Sequence, residues 1–534
     1  MKKPSRLQKI FCLFLFNCIF IQAISCKLNL NNPSDPTSKS FFETFLWRLY
    51  LGSLCDPNLR SSVRLGTASY KTNPYQILKL KNGNFAVTAG VLEAVEWKGG
   101  GTTGKNFSFT GATGTDMNVI LFVVNGSTMQ IEWLDYLGSL SVLSDDKTTA
   151  PIAEFSNGDI LVTALVNSSA QGNPISSKLN PNSLFMGRFS QNGNRVWTTY
   201  LDKTNAAIDG KRFALVIEPS DQIHLFFNAS GTGSPDTMGF SEFPNMQVAS
   251  IGSGHSEPGW AILNPVGSPM QQRYLPSTGE IQVLRASLTP NNSILVFGSG
   301  ADNFSGFLTH PLAGYSYRRP MLAKLSIANF SIENVTFLGT NSTSHEVGTL
   351  SSITTGPDGV YTGGIASGGF GNPFHPFQLN FETATIYRNS IFSKFDWDGN
   401  LVWNQFLGST KYDVVEIPPT IVYMQDSGSL KGNTLSPEDG YRFTGLSIPT
   451  FGDGSNLYQN TTLNISSSDG HYQSVHYESN FNTTPPSAGY FAQNNITDIA
   501  YACGGRLVRL KNVVELTTEN SYIEITTRPA NEEP

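Results

Sequence analysis

SIFSKFDWDGNLVWNQFLGS, residues 390–409, reads as two short strands joined by a tight turn at Asp398-Gly399-Asn400. Ile391, Ser393 and Phe395 alternate before the turn, and Leu401, Trp403 and Phe406 follow it. Asp-Gly between two apolar runs is a hairpin signal, because glycine takes a positive φ without a Cβ clash. The same hairpin recurs in degraded form along the chain, and the recurrence predicts an all-β fold of the β-propeller class.

Each repeat holds two hairpins. The first joins an apolar run to a run rich in Val, Thr and Gly, as in residues 77–90, 152–165, 216–229, 286–300 and 353–364, with a divergent version at 423–446. The second appears at 120–139, 184–202, 261–277, 321–340 and 391–409, and 506–519 reads as a sixth. An aromatic anchor falls at Trp133, Trp197, Tyr274, Phe337 and Trp403, at spacings of 64, 77, 63 and 66 residues. Near-constant spacing marks stacked units that cannot bury both faces alone. The count favours six blades over residues 65–520, with seven as the alternative and 521–534 as a tail. The anchors are expected to fill the space between neighbouring blades.

The second hairpin resembles the bacterial β-propeller repeat called SBBP, whose pattern runs small-Asp-apolar-Phe-Val-small-Lys and ends in Trp and Leu-Gly. Gly114-Thr115-Asp116, Ile120 to Val124 and Trp133 to Gly138 carry the likeness, as do Phe392 to Gly408. The resemblance implies a propeller carried by a bacterial surface lipoprotein.

The N-terminus points the same way. Lys2, Lys3, Arg6 and Lys9 precede an apolar run from Ile10 to Ile24, the shape of a targeting segment over residues 1–25. Ala23-Ile24-Ser25-Cys26 resembles a bacterial lipobox, with Ala23 where a Leu is usual. That resemblance implies cleavage after Ser25 and lipid attachment at Cys26, hence a membrane partner through the anchor and, from Lys27, an outer-membrane address. Residues 26–64 read as a polar tether and a short amphipathic helix over 41–51, entered through a capping box at Ser40 and Glu43.

Charge narrows the partners. The chain carries 35 basic and 41 acidic residues. Loss of the four basic residues of the targeting segment takes the net charge from −6 to −10. An acidic chain without a basic run argues against nucleic acid. Of five cysteines, Cys12 and Cys18 leave with the signal and Cys26 takes the lipid. Cys55 and Cys503 remain near opposite ends of the mature chain. A closed propeller makes those ends neighbours, so a Cys55–Cys503 disulfide is expected.

The motifs point to no catalytic residue, metal set or cofactor. Gly99-Gly100-Gly101-Thr102-Thr103-Gly104 has the G-x-G-x-x-G spacing but opens no helix, so no helix dipole faces a phosphate. Gly254-His255-Ser256-Glu257-Pro258 misses the last glycine of a nucleophile elbow. The seven histidines form no zinc spacing. Asp396-Trp397-Asp398-Gly399 reads as a turn in which Asp bonds the backbone, rather than as a calcium loop.

Insertions at 99–113, 206–212, 231–259, 301–320, 368–389 and 447–496 add Gly-, Asn- and aromatic-rich loops at the ends of the propeller. In one of them, Tyr315, Tyr317, Arg318 and Arg319 are the contact-loop candidates, since Tyr and Arg dominate interface hot spots. The leading expectation is an envelope binding module for a protein or glycan ligand. A glycosidase- or lyase-like enzyme with acids around the central channel, and a structural envelope protein, are the alternatives. A channel lined by two or three carboxylates would favour the enzyme.

Overall fold

The computed structural model describes residues 56–529 and Glu533, apart from 68–71, 92–95, 99–116, 141–149, 168–173, 176, 178–182, 203–206, 231–238, 244–255, 276–280, 301–318, 339–347, 367–368, 374–388, 408–418, 438–457, 478–494 and 516–519. The helix expected at 41–51 and the targeting segment lie outside the described residues.

Hydrophobic alternation builds seven antiparallel meanders, so seven blades replace the six of the repeat count. Blade 1 comprises β2 (Thr72–Lys79), β3 (Phe85–Val91), β5 (Met117–Val124) and β6 (Ile131–Leu140). Blade 2 is β7 (Ile152–Glu154), β8 (Ile160–Val166), β9 (Ser183–Phe189) and β10 (Arg195–Leu201). Blade 3 is β11 (Ala207–Ile217), β12 (Ile223–Ser230), β13 (Ser256–Leu263) and β14 (Pro269–Tyr274). Blade 4 is β15 (Ile281–Leu288), β16 (Ser293–Gly300), β17 (Arg319–Ser326) and β18 (Ser331–Phe337). Blade 5 is β19 (Thr349–Gly356), β20 (Gly359–Ala366), β21 (Asn389–Phe395) and β22 (Leu401–Leu407). Blade 6 is β23 (Thr420–Met424), β24 (Ser429–Pro437), β25 (Tyr458–Ile465) and β26 (Tyr472–Tyr477).

Blade 7 closes the ring. β27 (Asn495–Cys503), β28 (Arg506–Glu515) and β29 (Asn520–Thr527) take their fourth strand from the start of the described chain, β1 (Ser61–Thr67). Seven residue pairs hold that seam, from Ser61 opposite Thr527 to Thr67 opposite Ser521. A short β4 (Glu96–Lys98) adds to the outer edge of β1. The propeller therefore begins before residue 65, and residues 520–527 are a strand of it rather than part of a tail.

Two readings of the repeats are corrected. Residues 506–519 are not the second hairpin of the sixth unit. β28 pairs with β27 across a two-residue turn, Gly504-Gly505, where both glycines have positive φ, as a type I′ turn requires. The outer hairpin of blade 6 is β25–β26, inside the stretch read as a 50-residue insertion. The anchor alignment also shifts. Trp133, Trp197 and Trp403 sit opposite Val123, Arg188 and Lys394, but the same register in blades 3 and 4 is held by Gln271 and Asn334. Tyr274 and Phe337 stand three residues further on, level with Tyr136, Tyr200 and Phe406.

The packing is radial. Each large apolar cluster draws on two adjacent blades, as when Leu121, Val123 and Trp133 of blade 1 meet Ile160, Val162 and Phe185 of blade 2. The middle strands are covered on both faces, so β3, β5, β8, β16, β20 and β21 are buried along their whole length. The tryptophan register faces the following blade, and the aromatic three residues later faces the preceding one. Such a ring takes roughly 150–250 Å² out of water.

The meander also sorts the connections. Chain direction alternates strand by strand, so links from first to second and third to fourth strands lie on one face of the ring. Among the described blades these are turns of two to six residues. Links from second to third strands, and from each blade to the next, leave from the opposite face and carry every longer connection. Sequence reasoning spread the insertions over both ends. The described strands flanking 231–238, 244–255, 301–318, 374–388, 438–457 and 478–494 end and begin on the face of the longer connections, whereas the turn at 466–471 lies on the other and Ala207 to Arg212 belong to β11 itself.

Candidate functional site in the central channel

The first strand of each blade faces the ring axis, and together they enclose a channel of about 530 Å³. These strands are β2, β7, β11, β15, β19, β23 and β27. In β2, β15, β19 and β27 the register slips by one residue against the neighbouring strand. A bulge of this kind re-aims the side chain beside it. The residues that follow the four slips are Gln76, Arg285, Ser352 and Asp498.

Three of these four fasten one blade to the next. Gln76 Oε1 accepts the Ile152 amide at 3.2 Å, Ser352 Oγ accepts the Ile421 amide at 3.1 Å, and Asp498 Oδ2 accepts the Ile77 amide at 3.0 Å. Each donor is a backbone amide on the inner strand of the following blade. Between blades 3 and 4 the same task falls to Asn228 of β12, which accepts the Val283 amide and donates to its carbonyl, both at 3.0 Å.

Arg285 departs from the pattern. A guanidinium has five N–H donors and no acceptor. Its one hydrogen bond among the described residues is from Nη1 to the Leu284 carbonyl, at 2.9 Å. No carboxylate of the described residues stands within ion-pair distance of it. Asp498 is close enough to favour its charge, and burial opposes it.

Asp498 and Arg285 meet solvent through the channel and are otherwise enclosed by protein. Burial pushes the Asp498 carboxyl up to about 6. The Ile77 amide, Arg285 and the Ile499 amide, which reaches Oδ1 at 3.0 Å, pull against that rise. Lys79 is the third charged residue of the lining. Its Nζ donates to the Ala502 carbonyl and lies 4.9 Å from the centre of the Tyr501 ring. Burial lowers its pKa, with Asp426 opposing. Two hydroxyls of the lining, Ser351 Oγ and Thr420 Oγ1, are buried without a hydrogen-bond partner among the described residues.

The channel thus offers two cations and one carboxylate, with two hydroxyls unpartnered among the described residues buried in its wall. Such a set grips an anion or a polyol. Paired acid–base chemistry of the glycosidase kind needs a second acid, and Asp498 is the one carboxylate of the described lining.

The residues singled out from sequence fall elsewhere. Cys26, Cys55, Tyr315, Tyr317 and Arg318 lie outside the described residues. Arg319 opens β17 opposite Gly300 and is only 3 % exposed, so it is a strand residue rather than an open loop contact. Cys503 ends β27 and is disulfide-bonded. Asp396 forms the expected Asx turn, accepting the amides of Asp398 and Asn400 at 2.9 and 2.8 Å. No group of three metal-ligating side chains occurs among the described residues.

His224 is instead the middle of a buried relay in blade 3. Trp260 Nε1 donates to its Nδ1 at 3.0 Å, and Glu218 Oε1 stands 2.5 Å from its Nε2. An indole N–H can only donate, so the imidazole proton sits on Nε2 and points at Glu218. This set does not line the channel.

Sequence reasoning missed Arg285 and Asp498. Their signal is a charge inside an apolar inner strand, Val283-Leu284-Arg285-Ala286 and Asp498-Ile499-Ala500. Charged residues are rarely placed there without a partner or a task.

No family model and no curated protein matches the chain. Solved structures do. A protein of unknown function from Dyadobacter fermentans aligns at 10 % identity and a TM-score of 0.36, over 71 % of this chain and 94 % of that one. A polysaccharide lyase described as an ulvan lyase aligns at 11 % identity and a TM-score of 0.35, over 68 % and 75 %. The quinohemoprotein alcohol dehydrogenase of Comamonas testosteroni aligns at 8 % identity and a TM-score of 0.37, over 87 % and 76 %.

Proposed function

We propose that this chain is a lipid-anchored β-propeller of the bacterial envelope that acts as a binding module. The observation that carries the reading is the division of the ring. One face is closed by turns of two to six residues, and the other holds every longer connection. Binding surfaces concentrate on loops held by a rigid scaffold. The channel wall carries Arg285, together with hydroxyls buried without a partner among the described residues. With one carboxylate in the described lining, binding is favoured over the glycosidase or lyase alternative. Lipidation at Cys26, the outer-membrane address and an SBBP-type origin rest on the N-terminal and repeat resemblances.

Protease treatment of intact cells tests the reading, run alongside Cys26→Ser. Cleavage in the loops before lysis is expected, with the variant moving from the membrane to the soluble fraction. Protection of the whole chain until lysis would rule out display on the cell surface.

A further inference from the structure

We infer that the central channel is a receptor site for a hydroxylated carboxylate of the sugar-acid class, with Arg285 as the anchor for its carboxylate. The inference rests on the binding-module reading and names the ligand class of that site.

Its ground is the break in the inner-ring pattern. Gln76, Ser352 and Asp498 follow their bulges and are each engaged by an amide of the next blade. Arg285 occupies the same position and fastens nothing. A neutral acceptor there would serve the scaffold as it does in the other three blades. A guanidinium with four N–H donors left over serves an anion, and its planar fork matches a carboxylate through two parallel hydrogen bonds.

A second, separate observation lies in the two blades that follow. Thr420 is 6 % exposed, lines the channel, and its Oγ1 has no partner among the described residues. Ser351 Oγ, in the blade between, is in the same condition. Thr420 opens β23, so it stands toward the end of the channel from which the long loops rise. Both oxygens are shielded from solvent as they stand, so a change of χ1 rotamer brings them to ligand hydroxyls set beside a carboxylate.

Asp498 supplies the opposite character. Ile77 and Ile499 hold its oxygens in place from the wall of blade 7. It accepts from a hydroxyl and repels a second anionic group. A ligand with one carboxylate and several hydroxyls meets all of these groups together. A simple inorganic anion meets only the guanidinium.

The test is calorimetric titration of the purified protein with glucuronate, glucose and inorganic sulfate, repeated with Arg285→Gln, Arg285→Lys and Thr420→Val. Glucuronate is expected to bind at least tenfold more tightly than glucose or sulfate. Arg285→Gln should lower that affinity at least tenfold. Arg285→Lys should fall between, since it keeps the charge and loses the fork. Thr420→Val should lower it several-fold, and serves as the readout if the Arg285 variants fail to fold. A polyuronate binding as tightly as the free acid would place the unit within a polymer. A polyuronate that does not bind would make the free acid the ligand. Equal binding of glucose and glucuronate, or full affinity in Arg285→Gln, would overturn the inference. Absence of any sugar-acid binding in a protein still cleaved on intact cells would sink the inference and leave the binding-module reading standing.

Discussion

Trp403 donates its indole N–H to the carbonyl of Ser467, in the following blade, at 3.1 Å. Its ring lies on Gly470 of the same turn, where φ is +79° and an added Cβ would meet the ring at 2.5 Å. The device repeats. Trp133 bonds Gln191 over Gly193 at 2.9 Å, and Trp197 bonds Pro265 over Gly267 at 3.1 Å. In two of these junctions a cation of the third strand reaches the same carbonyl, Arg188 at 2.9 Å to Pro265 and Lys394 at 3.5 Å to Ser467. Tryptophan, cation and turn glycine thus form one clasp between blades.

Substitutions in that clasp should separate its parts. Trp403→Phe keeps most of the apolar contact and loses one hydrogen bond, for a cost of about 1 kcal/mol. Trp403→Ala empties the site, at roughly 3–5 kcal/mol. Gly470→Ala should cost more than Trp403→Phe, because it adds both a left-handed backbone strain and a clash with the ring. Urea unfolding of the three variants checks the order. A neutral Gly470→Ala would mean that the ring does not press on the turn.

The channel carboxylate should leave a mark on the pH dependence of stability. Asp498 has an ordinary value near 4 when unfolded and stands at about 6 in the folded protein. The folded state therefore holds its proton more tightly. The contribution is fully present below pH ~4 and is lost as pH rises through ~6. Each unit of separation is worth about 1.4 kcal/mol. Arg285 and Lys79 are the other charged groups of the described lining, and Arg285 holds the value down. Arg285→Gln should thus raise it further and steepen the fall. Asp498→Asn should remove its own share of the slope and disturb one of the two amide bonds, while Glu154 and Glu242, which burial also raises, keep theirs. Melting temperatures between pH 4 and 7 check both, and an unchanged slope in Asp498→Asn would assign it to another group.

A buried ion pair fixes the far end of the described chain. Glu533 pairs with Arg509 of β28 through both of its oxygens, one at 2.9 Å, with the side chains 2 % and 1 % exposed. It also accepts the Leu507 amide at 3.3 Å. Removing one member of such a pair leaves a buried charge uncompensated, typically at 3–5 kcal/mol. Glu533→Gln should therefore destabilise blade 7 by about that much. A double change of both residues to apolar ones of similar size should cost less than the single change. A double-mutant cycle by chemical denaturation measures the difference.

Much of this fold is legible in sequence, and the failures have identifiable causes. Five inner hairpins and five outer ones fall where Asp-Gly, Asn-Gly and related turns separate apolar runs. The outer hairpin of blade 6 escaped because its inward positions are shared with a hydroxyl residue. Thr461, Leu463 and Ile465 are all fully buried, and the threonine breaks the apolar pattern. The Asp469-Gly470 turn was the remaining signal. The seam escaped for a different reason: β29 pairs locally with β28, but its other partner, β1, lies more than 450 residues away, and no local pattern announces that pairing. The shifted anchors at Tyr274 and Phe337 arose because two aromatic registers, facing opposite neighbours, lie three residues apart. Arg285 was invisible because its meaning is comparative. Only the ring shows that Gln76, Ser352 and Asp498 hold the same post and do structural work there.

The seam of blade 7 also frames the expectation for Cys503, which ends β27 and is disulfide-bonded. The next residue, Gly504, lies against Pro57, whose Cβ an added side chain would meet at 2.9 Å. Two residues before Pro57 in sequence is Cys55. Under the proposed removal of Cys12 and Cys18 with a targeting segment and lipidation of Cys26, Cys55 is the expected partner. Closing a loop of this length constrains the unfolded chain, worth up to about 5 kcal/mol where native strain does not offset it. The mature protein, denatured without reductant, should show no free thiol, and a peptide containing Cys55 should be joined to one containing Cys503. Cys55→Ser should expose one thiol and lower the melting temperature as reductant does to the parent, with no further fall when reductant is added to the variant. Two free thiols in the denatured parent would refute the bridge, and the seam would then rest on the β1–β29 hydrogen bonds and the Ser62 and Arg64 contacts to Glu524, at 3.0 and 2.6 Å.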